Sequence, residues 1–377
     1  MIYLDNASTT RVYDELKQIA DKYYFDTYFN PSSPFNLAQN LHNDLNEAKE
    51  TLAKLLNCKR EEIFFTSCAT ESNNAIIYGA VNNNKGNIIT TTSEHASVYN
   101  CFVDLKNKGQ QVDFCPIDPK TGEVDYDEFK KLLNDKTKFV SIMLVNNETG
   151  AVNNIKRLVQ LTREIAPKAK FHTDAVQAFT KIPIDVKDLD VDFLSFSGHK
   201  FHSPKGCGGM YIKSSCHIPP IIHGGGQEKG QRSGTENIPG IMCMAKAAEI
   251  TNSNMEKNHQ LYVELADYLI KELTNNTNCI INRFNNYVPS ILNIAFKGIR
   301  GEVLVHSLEA KGVYVSTGSA CSSSLPKSRA VVDLKLPREY SDGVIRISFG
   351  SFNTLEEIKE ASKIIIEEVN ALYKAQN

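Results

Sequence analysis

The sequence predicts an α/β protein: a mostly parallel seven-stranded sheet in a large domain, with a smaller α+β domain beside it. Three observations lead there. Seven short apolar runs of strand length occur at 62–66, 87–91, 111–115, 139–144, 170–173, 192–196 and 208–212. The segments between most of them, such as 70–81, 98–106 and 155–165, space their apolar residues as helices do. That alternation is the pattern of βαβ units, whose sheet is covered on both faces. From residue 237 the order of elements changes, which marks a second unit.

Taken in order, residues 1–5 read as a first strand. No basic region precedes an apolar one there, so they do not read as a secretory signal. The seven runs and their helices follow. Residues 237–275 are helical in pattern and bridge the two units. Beyond them come a strand at 290–295, a helix from Glu302, strands at 313–316 and 344–348, and a last helix at 355–373. The expected division is 13–255 for the large domain, with 1–12 and 256–377 forming the small one. The Asn-rich patches at 82–84 and 275–278 read as exposed loops.

A chain of 377 residues can bury a large core, and 41% apolar with 23% charged residues is ordinary for a globular protein. A net charge of -2 gives no electrostatic reason to expect nucleic acid. No run reaches the roughly 18 apolar residues of a membrane span. The nine cysteines are odd in number and none has C-x-x-C spacing, so neither a disulfide framework nor a metal site is expected. Reduced thiols and a cytoplasmic location are the better reading.

In such sheets ligands bind at the carboxyl ends of the strands. Thr70, His95, Asn147, Asp174 and Lys200 all fall just after strand runs. Lys200 follows Ser197, Gly198 and His199; the two polar side chains can donate to a phosphate, and the glycine allows close approach. Lys205 competes, but it stands in a Ser-Pro-Lys-Gly turn that suits exposure. An amine and the acid Asp174, each at a strand end, suit pyridoxal phosphate, which needs a Schiff-base lysine and a carboxylate on its ring nitrogen. Gln177, three residues on, is placed to reach the ring hydroxyl.

Other motifs carry two readings each. Ser67 to Glu71 opens a helix, whose free amides and Thr70 hydroxyl make either a phosphate cradle or an ordinary cap. His95 is structural, or it stacks on a ring and relays protons. The polar loop 224–237 is a flexible linker, or it presents Arg232 and Thr235 to a phosphate. Arg346 lies inside an apolar strand, where it needs a structural acid or a substrate carboxylate. Cys321 sits among small residues at 316–324, a poor place for a structural thiol and a suitable one for sulfur chemistry.

These residues together resemble the cysteine desulfurases of the NifS/IscS type, within the class V aminotransferase-like, fold-type I pyridoxal-phosphate transferases. The likeness runs from the Tyr3–Thr10 motif to the last helix. It includes Ser-Gly-His-Lys at 197–200, His-Thr-Asp-Ala-Val-Gln at 172–177, Asn-Asn-Glu-Thr-Gly at 146–150, Arg-Ser-Gly-Thr-Glu-Asn at 232–237 and Ser-Ala-Cys-Ser at 319–322. The resemblance implies Lys200 as Schiff-base lysine and His95 as ring-stacking histidine. It implies Asp174 on the ring nitrogen, Gln177 and Asn147 near the ring oxygen, and Ala69, Thr70, Ser197 and His199 on the phosphate. Thr235 would reach the phosphate of a second subunit, so a homodimer is implied. Arg346, with Asn147, would take the substrate carboxylate, and Cys321 would receive the sulfur.

The reaction so implied converts L-cysteine to L-alanine, leaves a persulfide on Cys321, and hands the sulfur to an acceptor protein for iron–sulfur clusters, thio-cofactors or tRNA. Selenocysteine lyase or class V aminotransferase activity, or a non-catalytic sulfur-transfer scaffold, are the alternatives. The chain departs from the family pattern at Cys68, where Gly is usual, and at Phe35 and Ala38, where His and Gly are common. It departs again at Gln231 and Ser351, where arginine is common.

Overall fold

The computed structural model describes residues 1–81, 86–317 and 329–376. The Asn patch at 82–84 and Cys321 lie outside the described residues. The chain opens with β1 (Ile2–Tyr3), α1 (Leu16–Asp21) and α2 (Asn36–Leu56). The βα alternation follows: β2 (Ile63–Thr66), α3 (Ala69–Val81), β3 (Ile88–Thr91), α4 (Ala96–Asn107), β4 (Val112–Cys115) and α5 (Tyr126–Leu132). It continues through β5 (Phe139–Ser141), α6 (Ile155–Ile165), β6 (Lys170–Asp174), α7 (Val186–Leu189), β7 (Phe193–Ser197) and β8 (Gly208–Ile212).

These strands make one seven-stranded sheet, in the order β2-β8-β7-β6-β5-β3-β4. All neighbours are parallel except β8, which runs antiparallel to both β2 and β7. The expected fold class is therefore the observed one. Every residue of β3, β5, β7 and β8 is buried, which explains runs without polar alternation. Because β8 starts where β7 ends, Ser197 pairs with Gly208, and Thr66 pairs with the same Gly208 on the other side. The ends of β2, β3, β6 and β7 thus meet along one rim.

Helices form where the sequence supplies both a face and a cap. On α6, Ile155, Leu158, Val159, Leu161 and Thr162 turn inward, and the Asn154 side chain accepts from Arg157 N at 3.1 Å. Such a cap contributes about 1 kcal/mol. The long α2 was not expected, although Leu41, Leu45, Ala48, Leu52 and Leu56 bury one stripe of it. It ends at Asn57, in the left-handed conformation (φ 55°) that closes helices.

The bridging region is two helices, α8 (Ile238–Ser253) and α9 (Met255–Asn276), broken at Asn254. After it come β9 (Cys279–Asn282), β10 (Ile291–Phe296), α10 (Gly301–Ala310), β11 (Val313–Tyr314), α11 (Arg329–Asp333), β12 (Val344–Ser348) and α12 (Leu355–Gln376). β12, β10 and β9 form an antiparallel sheet, while β1 pairs in parallel with β11. One apolar core joins α2, the large sheet and α8. A second joins Ile2 and Leu4 to α9, β10, α10, β12 and α12. The N-terminal segment thus packs with elements about 300 residues further along.

Candidate active site

The segment after β1 is the hub of the site. Lys200 closes a single helical turn after β7, and its Nζ donates to the carbonyls of Ala7 and Ser8, both at 2.7 Å. Burial, with the Arg346 charge second, lowers its pKa to about 8; Asp5 and Asp174 pull the other way. Gln177 Nε2 donates to the same Ala7 carbonyl at 2.9 Å, while its Oε1 accepts from Lys181 Nζ at 2.7 Å. Arg346 on β12 donates from Nη2 to Asp5 Oδ1 and Ser8 Oγ, both at 2.7 Å, and from Nη1 to the Asn147 carbonyl at 2.8 Å. Three residues of the chain's start, Asp5, Ala7 and Ser8, therefore touch Lys200, Gln177 and Arg346.

A second line of contacts joins Asp174 to His95. Asp174 is buried at the end of β6, where Oδ1 accepts from Val176 N at 2.9 Å and Oδ2 from Asn73 Nδ2 at 2.8 Å. Asn73 Nδ2 also lies 2.8 Å from Ser97 Oγ, which is 2.9 Å from His95 Nδ1. His95 caps α4 by accepting from Ser97 N. Although the residue is exposed overall, burial of its ring lowers its pKa, opposed by Asp174 and aided by the nearby Lys200, Arg329 and Arg346 cations. His95, Thr70, Asn74 and Ser97 line one open cleft of ≈ 380 Å³.

The start of α3 lies close to β8 because Gly208 has no side chain. A Cβ there would fall 2.8 Å from the backbone of Cys68. Ala69 is buried and Thr70 exposed at this helix start. Glu71 accepts from Ser67 N at 2.9 Å and from Arg232 Nε at 2.8 Å, so Arg232 is tied to an acid within the chain. Ser197 Oγ is buried with no hydrogen-bond partner. His199 Nδ1 sits 3.2 Å from Thr9 Oγ1, and burial beside Lys200 lowers its pKa to about 4. Thr235 is exposed, and among the described residues no hydrogen bond joins it to the other candidates. Lys205 is exposed, as its turn suggested.

The chain matches the aminotransferase class-V family over residues 2–360. It belongs to that family. A cysteine desulfurase IscS of Methanosarcina thermophila is 39% identical, over 98% of this chain and 92% of the relative. A solved NifS-like protein superposes with a TM-score of 0.93 at 36% identity, covering 98% of this chain and 100% of that one. The structure of SspA in complex with cysteine gives 0.81 at 29% identity, covering 94% and 100%.

As a class-V enzyme the chain uses pyridoxal phosphate, and its residues fit that cofactor. An orphaned buried hydroxyl at Ser197, a helix start brought close by Gly208, a depressed lysine amine and a buried carboxylate are the four groups such a molecule needs. Among the described residues no cluster of His, Cys, Asp or Glu could hold a metal ion, and no helix is long and apolar enough to cross a membrane.

Sequence reading missed Asn73 and Ala7. Asn73 lies mid-helix with no local mark, and only the fold brings it against Asp174. Ala7 acts through its carbonyl, which no side-chain motif announces. Of the departures from the family pattern, Ser351 Oγ lies 3.1 Å from His202 Nε2, Ala38 is fully buried, and Phe35 is 48% exposed with its ring edge-on to Phe29.

Proposed function

We propose that this chain is a cysteine desulfurase: it takes sulfur from L-cysteine onto Cys321 and releases L-alanine. One observation carries the sulfur step. Ser316 and Arg346 are bridged through their backbones, and Cys321 is five residues from Ser316. Five residues span at most roughly 17 Å, so chain length alone lets a thiol at position 321 reach the site.

Pyridoxal phosphate, when bound, supplies the electron sink for the substrate α-carbon. Lys200 would hold it and then take the α-proton, work suited to an amine near neutrality. Asp174 would keep the ring nitrogen protonated, itself fixed by Asn73. Ser197, His199, Ala69 and Thr70 would hold the phosphate, His95 would stack on the ring, and Gln177 and Asn147 would lie near the ring oxygen. Arg346 would orient the substrate carboxylate, a role in which Asp5 Oδ1 stands for the carboxylate oxygen. The Cys321 thiolate then bonds to the substrate sulfur while the carbon–sulfur bond breaks. The carbon is protonated to alanine, and Cys321 keeps the sulfur as a persulfide.

We infer two further points. The chain acts as a homodimer, in which Thr235 reaches the partner's phosphate. Thr235 lies on the surface in the same loop, where a second molecule can reach it. The sulfur goes on to an acceptor protein in the cytoplasm, a compartment that suits the eight free thiols among the described residues. The second apolar core draws only on residues outside 13–255, which supports domains at 13–255 and at 1–12 with 256–377, while Ala7, Val288 and Ile291 pack in the first core.

The test is incubation with L-cysteine, followed by mass spectrometry of the Cys321 peptide and amino-acid analysis. A persulfide and alanine are expected. Amino transfer to 2-oxo acids with no persulfide would sink the reading.

A further inference from the structure

Resting on Lys200 as the reacting amine, we propose that Lys181 exchanges a proton with Lys200 across a cavity that holds one water. Both lysines line a small cavity of ≈ 20 Å³ where the turn after β7 meets α9 and the segment after β12. A water needs about 10–15 Å³ of such space and two to four polar partners, so one fits. Lys200 Nζ gives two of its three hydrogens to Ala7 and Ser8, which leaves one for the cavity. Lys181 Nζ gives one to Gln177 Oε1, and Gln177 in turn donates to the Ala7 carbonyl that Lys200 uses.

Thr180 is an independent sign that this cavity is built. It is 3% exposed, lines the cavity, and its Oγ1 is buried with no hydrogen-bond partner. Its φ of 63° lies in the left-handed region, where a β-branched residue is strained. Strain of this kind persists where the surroundings hold it, and it gathers at working sites. A water in the cavity satisfies the hydroxyl and joins the two amines.

The charges around Lys181 favour the exchange. Burial, then the Lys200 and Arg346 cations, lower its pKa to about 7, against about 8 for Lys200. His202, in the same wall, is lowered to about 4 by burial and stays neutral, and burial pushes the Tyr262 phenol up. No carboxylate lines the cavity. Two amines so nearly matched pass a proton with little penalty either way. The step moves one proton and no electrons. A Lys200 N–H bond breaks as the water takes that proton, the water gives its own to the Lys181 amine, and the reverse returns it.

The test uses the full-length protein with ¹³C-labelled lysine. Without cofactor, NMR titration of the wild type should show two amines titrating far below the ordinary lysine range, each signal carrying the other's inflection. In Lys181→Met the lower titration should vanish and Lys200 should keep a single inflection. With cofactor, that variant should lose roughly 10²-fold in kcat, with little change in KM for cysteine. Borohydride should still fix the cofactor on Lys200. A Lys181 amine that titrates in the ordinary range, a result needing no variant, overturns the proposal. So does a Lys200 titration that Lys181→Met leaves unchanged. A wild type with no borohydride adduct on Lys200 overturns the prior reading of that lysine instead.

Discussion

Ser316 and Arg346 exchange both backbone hydrogen bonds, Ser316 N to Arg346 O at 3.1 Å and Arg346 N to Ser316 O at 2.6 Å. The strand that carries Arg346 therefore also fixes the last described residues before the Cys321 segment.

Cys321→Ala should stop persulfide and alanine formation while leaving the bound cofactor's absorbance in place, because no cofactor contact is assigned to that side chain. Absorbance on addition of cysteine, read beside alanine release, separates the two. Full alanine production from the variant would mean that another group takes the sulfur.

Arg346→Ala should weaken cysteine binding and the fold together. The Arg346 side chain is 3% exposed and that of its partner Asp5 is 18% exposed. Removing one member of a buried pair leaves the other uncompensated, at about 3–5 kcal/mol for full burial and less here. The double variant Asp5→Asn, Arg346→Ala should recover much of that stability in a denaturant melt. It should not recover KM, since no guanidinium remains for the substrate.

These effects trace back to what a sequence can and cannot display. The apolar runs from 62 to 212 marked the sheet because buried parallel strands leave few polar interruptions, and Gly208–Ile212 and Val344–Ser348 match the structure end to end. Strand ends were legible for the same reason, and with them Asp174 and Lys200. The antiparallel direction of β8 was not, since an all-buried strand reads alike in both directions. Nor were the contacts of the Ala7 carbonyl, which depend on residues 170 and 193 positions away. Only closure of the N-terminal segment against β12 brings them together.

Gly208→Ala should loosen the cofactor more than it disturbs the core. Its Cβ would stand 2.8 Å from the Cys68 Cα and carbonyl carbon and 3.0 Å from Ala69 N. The start of α3 must move away, and with it the amides proposed to hold the phosphate. Equilibrium dialysis should show weaker retention of pyridoxal phosphate. The neighbouring Gly209→Ala makes the contrast: its Cβ would meet the Phe196 ring at 2.3 Å, in the core. That change should cost about 1–3 kcal/mol of stability.

Glu94, one residue before His95, should set a pH dependence of stability. Its side chain is 3% exposed; Oε1 accepts from Thr91 Oγ1 and Met143 N, both at 2.9 Å, while Oε2 has no partner. Burial, opposed by the Met143 hydrogen bond and aided by Asp174, raises its pKa from 4.5 to about 8. The folded state therefore binds a proton that the unfolded chain releases near pH 4.5, so this group's contribution to stability falls as pH rises from about 5 to 8 and then levels. Glu94→Gln keeps an oxygen for Thr91 and Met143 and cannot ionise. The variant should match the wild type near pH 5 and exceed it by a few kcal/mol near pH 8, on the scale of 1.36 kcal/mol per pKa unit. Urea melts of both proteins across that range decide the point: parallel curves would mean that Glu94 is charged in the fold at neutral pH and that its free oxygen is solvated.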